Sequence, residues 1–144
     1  MRINQVLEAK QLRDVITIRP DAGVRELVAT LAEHNIGALI VSADGTSMDG
    51  IVSERDVVRR MHSDGTVINN TVSAIMTEVV EVCAPDDDLD EVMQTMTERR
   101  FRHIPVCSAD GELVGIISIG DVVKHKIGQL EFERDQLDSY VHRT

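Results

Sequence analysis

Two short stretches of the sequence place an aspartate three residues after a serine. They read Gly50-Ile-Val-Ser53-Glu-Arg-Asp56 and Gly115-Ile-Ile-Ser118-Ile-Gly-Asp121. One interpretation is structural: a serine at the N-cap and an acid at N3 form a capping box at a helix start, with Asp replacing the usual Glu or Gln. The other is chemical, because a helix start offers N–H groups to an anion. The carboxylate can also accept hydrogen bonds from two vicinal hydroxyls, as on a ribose, and spacing alone leaves both interpretations open.

The two motifs belong to an internal repeat. Residues Val15–Val58 align without a gap on Val80–Val123 after a shift of 65 positions, and the polar segment Ser63–Val72 joins the copies. We place the first unit at residues 1–65, the second at 66–128 and a C-terminal helical extension at 129–144. A unit this small buries little surface alone, so the two copies should pack against each other.

Both units have the same predicted order of elements, β-α-β-β-α. Runs of β-branched residues predict the first strand, a Pro-Asp pair precedes the first helix, and an Asp-Gly turn separates the last two strands. The closing helix begins near the serine of each motif. The fold class is therefore α+β, with two units packed about a pseudo-twofold axis. The predicted strands are Val15–Ile18, Ala38–Val41 and Met48–Val52 in the first unit, and Val79–Val82, His103–Val106 and Leu113–Ile117 in the second.

Composition argues against several classes of protein. The 144 residues carry a net charge of −10 and 2% aromatic residues, whereas nucleic-acid surfaces need a basic excess or aromatic stacking platforms. No apolar run approaches the roughly 18 residues of a membrane span, and no signal peptide is evident. With only Cys83 and Cys107 as cysteines, we expect a cytoplasmic protein. Because no phosphate-binding loop, metal-ligand cluster or catalytic triad spacing is present, we expect neither an enzyme nor a metal site.

The duplicated unit resembles a known domain family. Its order of elements, ending in G-h-h-S-x-x-D with h an aliphatic residue, is similar to a CBS domain, and the tandem copies resemble the CBS pair, or Bateman module. The second copy also carries Arg102-His-Ile-Pro-Val106, which is similar to the family's R/H-x-h-P-V signature. The resemblance implies two clefts for adenine ligands, AMP above all, with ADP, ATP, NAD or S-adenosylmethionine as alternatives. It further implies a free-standing regulatory homodimer that acts on an unknown protein; a scaffold with empty clefts and a nucleotide-processing enzyme are the rival interpretations.

The resemblance assigns roles to residues of the second copy. Asp121 would receive the ribose hydroxyls and Ser118 would support the sugar or phosphate. Arg102 and His103 stand where the family often places phosphate-binding cations. Alternation along a strand sends these two side chains to opposite faces, so we expect only one of them to point fully into the cleft. The candidate adenine contacts in this cleft are Val80, Ile104 and Pro105, with ordinary core packing as the alternative.

The first copy departs from this pattern. It keeps Ser53 and Asp56 in the same implied roles, but Gly37, Ala38 and Ile40 replace the arginine, histidine and proline of the second copy. Arg55, at the second position of its helix, either turns toward a phosphate or pairs with a neighbouring acid. We therefore expect the Asp121 cleft to bind its ligand more tightly than the Asp56 cleft. The candidate adenine contacts in the first cleft are Thr17, Gly37 and Ala38.

The closing helix of the second copy is predicted to continue beyond Gln129. Apolar residues at helical spacing form a stripe along it. The stripe either packs on the helix's own domain or forms a subunit contact, and the sequence leaves both open. Its members are Val122, Val123, Ile127, Leu130, Leu137 and Val141.

Overall fold

The elements of both repeats follow the predicted order. The structure is a computed structural model that describes residues 1–10, 15–78 and 81–142. A helix α1 (Ile3–Ala9) precedes the repeats. The first repeat contains β1 (Thr17–Ile18), α2 (Val24–His34), β2 (Ala38–Val41), β3 (Gly50–Ser53) and α3 (Glu54–Ser63). A 3-10 turn (Val67–Asn69) and α4 (Val72–Ile75) lead to the second repeat, with α5 (Leu89–Arg99), β4 (His103–Cys107), β5 (Leu113–Ser118) and α6 (Ile119–Val141).

Each repeat has a small sheet that ends at its serine motif. In the first sheet β1 runs parallel to β2, and β2 pairs antiparallel with β3 so that Ala38 lies opposite Ser53. In the second, β4 pairs antiparallel with β5, and His103 lies opposite Ser118. The registers are equivalent, so the residue that begins the middle strand of each repeat adjoins the serine of that repeat.

Three predicted strands differ from the observed ones, and the first of them, Val15–Ile18, pairs only at Thr17 and Ile18. Residues 79 and 80 of the predicted strand Val79–Val82 lie outside the described residues. Among the described residues of this region, the parallel pairing is a single bridge from Cys83 to Val106. The third strand begins at Gly50 instead of Met48, because Asp44 holds the residues before the strand in a wide turn. The N–H groups of Thr46 and Ser47 donate hydrogen bonds to Asp44 Oδ1 at 2.9 and 2.8 Å.

The hydrophobic core of each repeat includes a segment of the chain from outside that repeat. Residues 67–75, which the sequence analysis placed in the second unit, contribute Val67, Val72 and Ile75 to the core of the first. The helix α1, which was not predicted, inserts Ile3 and Val6 into the core of the second. Backbone hydrogen bonds fix both crossings, such as Ile3 N–H to Asp87 O at 3.0 Å and Val72 N–H to Ala22 O at 2.8 Å. The packing therefore differs from a division at residue 65.

The glycine of each motif permits a close approach of these exchanged segments. A Cβ atom on Gly50 would lie 2.6 Å from the backbone oxygen of Thr77, and one on Gly115 would lie 2.6 Å from Cδ2 of Leu7. A Cβ at Gly50 would force the backbone at Thr77 to move, and one at Gly115 would force the Leu7 side chain to move. The contacts bring the segments after α4 and along α1 against the strands that carry the motifs, and so make them walls of the two clefts described below.

The closing helix of the second repeat continues as predicted. It runs for 23 residues from Ile119 to Val141, and Val122 is its buried residue. Residues 131–140 are all exposed. Within residues 1–10, 15–78 and 81–142, no helix is long and apolar enough to cross a membrane.

Candidate functional site

Both serine motifs form capping boxes. The Ser53 N–H donates to Asp56 Oδ2 at 2.8 Å, and the Asp56 N–H donates to Ser53 Oγ at 3.3 Å. In the second repeat the corresponding distances for Ser118 and Asp121 are 2.9 and 3.1 Å. The structural interpretation of the motif is thus confirmed. The capping box also holds each carboxylate in place, since the serine N–H binds Oδ2 of the carboxylate in the first turn of the helix.

The first turns of α3 and α6 have few N–H groups left for an anion. The Glu54 N–H donates to Gly37 O at 3.0 Å, and the Ile119 N–H donates to Arg102 O at 2.8 Å. With the N3 group bound to the serine, two of the first three donors of each helix are already used. A bound phosphate would therefore depend on side chains more than on the helix start, which argues against the chemical interpretation of the motif.

Each aspartate keeps one oxygen for a ligand. The hydrogen bonds from the capping serines and the ion pair described below all go to Oδ2 of Asp56 or Asp121. Among the residues that the structure describes, none donates to Oδ1 of either carboxylate. A charged carboxylate oxygen of this kind can accept hydrogen bonds from vicinal hydroxyls.

The Asp121 cavity is the larger of two clefts between the repeats. Its volume is about 380 Å³, and the residues that line it come from both repeats and from α1. Most of the wall is aliphatic, and two of its polar side chains, those of Lys10 and Ser118, belong to residues that bond to Asp121. The lining residues are Leu7, Lys10, Val15, Ile16, Asn35, Ile36, Gly37, Ala38, His103, Val114, Gly115, Ile116, Ser118 and Asp121.

The Asp56 cavity has a volume of about 270 Å³ and a more charged wall. Four arginines and four carboxylates line it, so its formal charge is balanced although the chain as a whole carries −10. One of the carboxylates, Glu81, already pairs with Arg99 at 3.2 Å. The lining residues are Gly37, Ile51, Ser53, Glu54, Arg55, Asp56, Arg59, Thr77, Glu78, Glu81, Arg100, Phe101, Arg102, His103 and Pro105.

The structure changes how the predicted residues are grouped. Arg102 lines the cavity of Asp56, so its predicted grouping with Asp121 is wrong; Ala38 in turn lines the cavity of Asp121. The reason is that the segments before β2 and β4 meet where the repeats face each other. A Cβ atom on Gly37 would lie 3.7 Å from Nε2 of His103, and these two residues line both cavities.

Four further residues that were predicted to bind nucleotide lie in a cavity wall, in a sheet or in the core. Arg55 and Pro105 line the Asp56 cavity. Thr17 pairs with Ile40 inside the first sheet and lines neither cavity. Ile104 is 2% exposed and belongs to the second core, which agrees with the alternative of core packing. A fifth candidate, Val80, lies outside the described residues.

Lys10 is a site residue that the sequence analysis missed. Its Nζ lies 2.9 Å from Oδ2 of Asp121 and donates to the backbone oxygen of Ile116 at 2.8 Å. Burial alone would raise the pKa of Asp121, but the hydrogen bond from Ser118 and the ion pair with Lys10 outweigh it and hold that pKa below its ordinary value. No local motif marks Lys10, because it follows a short helix that reaches the cavity only through tertiary packing.

His103 is a weaker cation than its position in the sequence suggested. Burial is the main cause that lowers its pKa, and the nearby charge of Lys10 adds to the effect. The carboxylates of Asp121 and Glu54 act in the opposite direction, and Arg102 lowers the pKa further. The imidazole therefore lies between the two cavities as a neutral ring at neutral pH.

Arg100 lines the Asp56 cavity from an unusual backbone position. It caps α5 with φ of +60°, in the left-handed region that favours glycine. The equivalent cap of α2 is Asn35, with φ of +51°, and asparagine tolerates this conformation better than arginine does. Arg59 and Arg100 were not identified from the sequence as cavity residues, since each reaches Asp56 only in the folded chain.

Comparison with known proteins agrees with this architecture. The sequence pattern of the CBS domain matches residues 9–63 and 72–128. This chain belongs to the CBS-domain family. The two matched ranges correspond to the two repeats, so the chain carries a CBS pair, as the resemblance predicted.

Three relatives show the extent of the similarity. CBSX3, a mitochondrial CBS domain-containing protein of Arabidopsis thaliana, is 36% identical over 126 residues; the match covers 84% of this chain and 61% of that protein. The crystal structure of the CBS-domain containing protein ATU1752 from Agrobacterium tumefaciens is 39% identical, with a TM-score of 0.81, over 88% of this chain and 99% of that one. CBSX2, whose crystal structure is a complex with AMP, shares the fold at a TM-score of 0.74 and 23% identity over 90% of this chain and 98% of that one.

Proposed function

We propose that this CBS pair is a regulatory module that binds an adenine nucleotide, with the nucleotide phosphate in the Asp56 cavity. One observation carries the proposal: the Asp56 carboxylate, with Oδ1 available, shares a cavity of about 270 Å³ with Arg55, Arg59, Arg100 and Arg102. A nucleotide needs a carboxylate for the ribose and cations for the phosphate, and guanidinium groups suit phosphate because they donate in a planar fork.

The remaining wall of the Asp56 cavity suits a base. Ile51, Phe101 and Pro105 supply apolar surface, and an aromatic ring such as adenine buries well against such groups. The carboxylates of Glu54 and Glu78 would repel a phosphate that approached them. The phosphate should therefore lie on the side of Arg100 and Arg102, with the ribose between it and Asp56.

The Asp121 cavity favours a ligand with less charge. Its walls are mainly aliphatic, its cation Lys10 is already paired with Asp121, and His103 is neutral. A nucleoside portion fits this chemistry better than a phosphate does. We therefore reverse the order expected from the sequence and assign the tighter nucleotide site to Asp56.

AMP is the nucleotide we favour. The CBSX2 complex supports it as a ligand of the shared fold, and a single phosphate matches the limited volume of the Asp56 cavity. ADP, ATP and NAD are the alternatives, and each would have to extend past Gly37 and His103 toward the second cavity.

Titration calorimetry with AMP, adenosine and GMP tests the proposal. We expect AMP to bind more tightly than adenosine, and the difference to shrink at high salt because exposed charge pairs are screened. Arg102→Gln should remove most of the difference, whereas Arg25→Gln, an exposed arginine on α2, should leave it unchanged. Equal affinities for AMP and adenosine in the wild-type chain would overturn the assignment of the phosphate.

A regulatory module needs a protein to regulate. We propose that the chain is a homodimer that contacts an unidentified protein in a manner that depends on nucleotide. Mass spectrometry of the small molecules that copurify with the native protein would name the ligand. Saturation with AMP at about 100 times its dissociation constant should add about 2.7 kcal/mol to the free energy of unfolding.

A further inference from the structure

The helix α6 carries an apolar seam on its exposed surface. Val123, Ile127, Leu130 and Leu137 are 44%, 51%, 50% and 66% exposed. They follow one another at intervals of four, three and seven residues, which is the a/d spacing of a coiled coil, and Arg134 occupies the intervening a position. Because 3.5-residue spacing keeps side chains on one side of a helix, the four apolar groups form one narrow line.

The rest of the described chain does not cover this seam. All residues from 131 to 140 are exposed, so this part of α6 extends away from the body of the second repeat. A helical segment of roughly 10 residues is only marginally stable in water without packing. A partner that covers the seam would bury the apolar line and stabilise the helix.

The charges that flank the seam indicate which partner fits. Lys124 and Lys126 flank its first half at positions e and g, and Glu131 and Glu133 flank its second half. In an antiparallel pair of identical helices, the first half of one meets the second half of the other, so lysines face glutamates. In a parallel pair Lys126 would face Glu131 of the other helix, but Glu133 would face Asp138, and like charges at these positions are unfavourable.

We propose that α6 pairs with α6 of a second copy of this chain as an antiparallel two-stranded coiled coil. The register that matches the charges sets Ile127 against Leu130 of the second copy, and Lys124 against Glu131. Arg134 then lies beside Val123 of the second copy. Since Lys126 already pairs with Asp90 at 2.9 Å within its own chain, Lys124 and Glu131 provide the cleaner charge contact.

A lipid surface is a poorer partner for the same helix. Helices that lie on membranes usually carry a basic polar face. The exposed end of α6 instead carries Glu131, Glu133, Asp135 and Asp138 with Arg134 as its cation, and an anionic bilayer would repel it.

Sedimentation equilibrium on the full chain tests the seam. We expect a dimer for the wild type, and at least tenfold weaker association for Leu130→Glu. Phe132→Glu is the matched control, because Phe132 is a large exposed residue (64%) of the same helix that lies outside the seam. It should associate as the wild type does, and circular dichroism should show both variants folded. A monomeric wild type, or equal association of the two variants, would overturn the proposal.

Charge reversal and distance measurements test the direction of the pair. At low salt, Lys124→Glu and Glu131→Lys should each weaken association about tenfold, and the double variant should recover most of it. Spin labels at residue 129 should lie close together across the dimer. Labels at residue 136 should be offset from each other along the helix axis by roughly 20 Å more, from a rise of about 1.5 Å per residue, and so should lie clearly farther apart. Equal distances at the two positions would indicate a parallel pair and contradict the proposed geometry. The seam rests on the homodimer proposed above, and a monomeric wild type would contradict both. Neither test depends on nucleotide, so failure of either leaves the proposed nucleotide site at Asp56 intact.

Discussion

The ammonium group of Lys10 lies 2.9 Å from Oδ2 of Asp121. This ion pair joins the residue that ends α1 to the first turn of α6, and the same lysine also binds the backbone oxygen of Ile116. Asp121 therefore differs from Asp56, its counterpart in the repeat, although the two motifs are nearly the same in sequence. The ion pair both stabilises the fold and reduces the charge available to a ligand in the Asp121 cavity.

Removal of this ion pair should destabilise the protein in a manner that depends on pH. We expect Lys10→Met to lower the free energy of unfolding at pH 7 by about 1.5–3 kcal/mol, the usual range for a hydrogen bond to a charged group. Because the folded pKa of Asp121 is lowered, its stabilising contribution is present above the ordinary aspartate pKa and is lost as the pH falls through the folded value. The difference between variant and wild type should therefore shrink below about pH 4.

Urea unfolding at several pH values measures this difference. Arg25→Met serves as the control, since Arg25 is an exposed cation of α2 and lines neither cavity. A stability difference for Lys10→Met that stays constant from pH 7 to pH 3 would show that the ion pair does not depend on the charge of Asp121.

The two aspartates should contribute unequally to nucleotide affinity. We expect Asp56→Ala to weaken AMP binding by about 10- to 150-fold, because loss of a charge-assisted hydrogen bond costs about 1.5–3 kcal/mol. Asp121→Ala should have a smaller effect, since the arginines line the other cavity. Calorimetry on both variants measures the ranking.

Ser53→Ala controls for the capping role of Asp56. It removes the side-chain acceptor of the capping box but leaves the carboxylate in the cavity, so its affinity should fall less than that of Asp56→Ala. A greater loss from Asp121→Ala than from Asp56→Ala would return the tighter site to the cleft favoured by the sequence.

Replacement of Arg100 by glycine should stabilise the fold and weaken AMP binding. Because its φ is +60°, Arg100→Gly should raise the free energy of unfolding by about 1 kcal/mol. The same change removes a guanidinium from the Asp56 cavity, so AMP affinity should fall. Asn35→Gly, at the equivalent helix end, should stabilise less because asparagine already tolerates the left-handed region. Thermal unfolding with and without AMP distinguishes the two effects, and unchanged AMP affinity would remove Arg100 from the proposed site.

The glycines of the two motifs should differ in their tolerance of alanine. A Cβ at Gly50 meets the backbone oxygen of Thr77, whereas a Cβ at Gly115 meets the end of the Leu7 side chain. A side chain can rotate away more easily than a backbone can move. We expect Gly50→Ala to destabilise by about 1–3 kcal/mol, in the range for overpacking, and Gly115→Ala by less; urea unfolding measures both. An equal loss would mean that the backbone at Thr77 moves as readily as Leu7.

The local hydrogen bonds of the site could be predicted from the sequence, but the set of residues that line each cavity could not. The hydrogen bonds between Ser53 and Asp56 join residues three positions apart, so the rules of helix capping are enough to predict them. The positions of Arg102 and Lys10 depend on how two repeats and a separate helix pack. From the sequence alone, Arg102 was grouped with Asp121 because the two residues share a repeat. In the structure, Gly37 and His103 lie close together where the repeats meet, and Arg102 lines the cavity of Asp56.

The length of the strands also depends on tertiary packing and could not be predicted from the sequence alone. The β-branched run at Val15–Ile18 was predicted as a full strand, but only Thr17 and Ile18 pair with β2. Val15 and Ile16 instead line the Asp121 cavity. A propensity for extended structure does not distinguish a paired strand from an unpaired cavity wall, because both place the chain in the same backbone region.

The crossed segments have a consequence for how the molecule assembles. Since α1 completes the core of the second repeat and residues 67–75 complete the core of the first, neither the chain before residue 65 nor the chain after it contains a complete core. A chain cut at residue 65 would yield two fragments that each lack part of a core and recover it only by associating. Unfolding should accordingly be a single cooperative transition, and any ligand that stabilises one cavity also protects the distant repeat from opening.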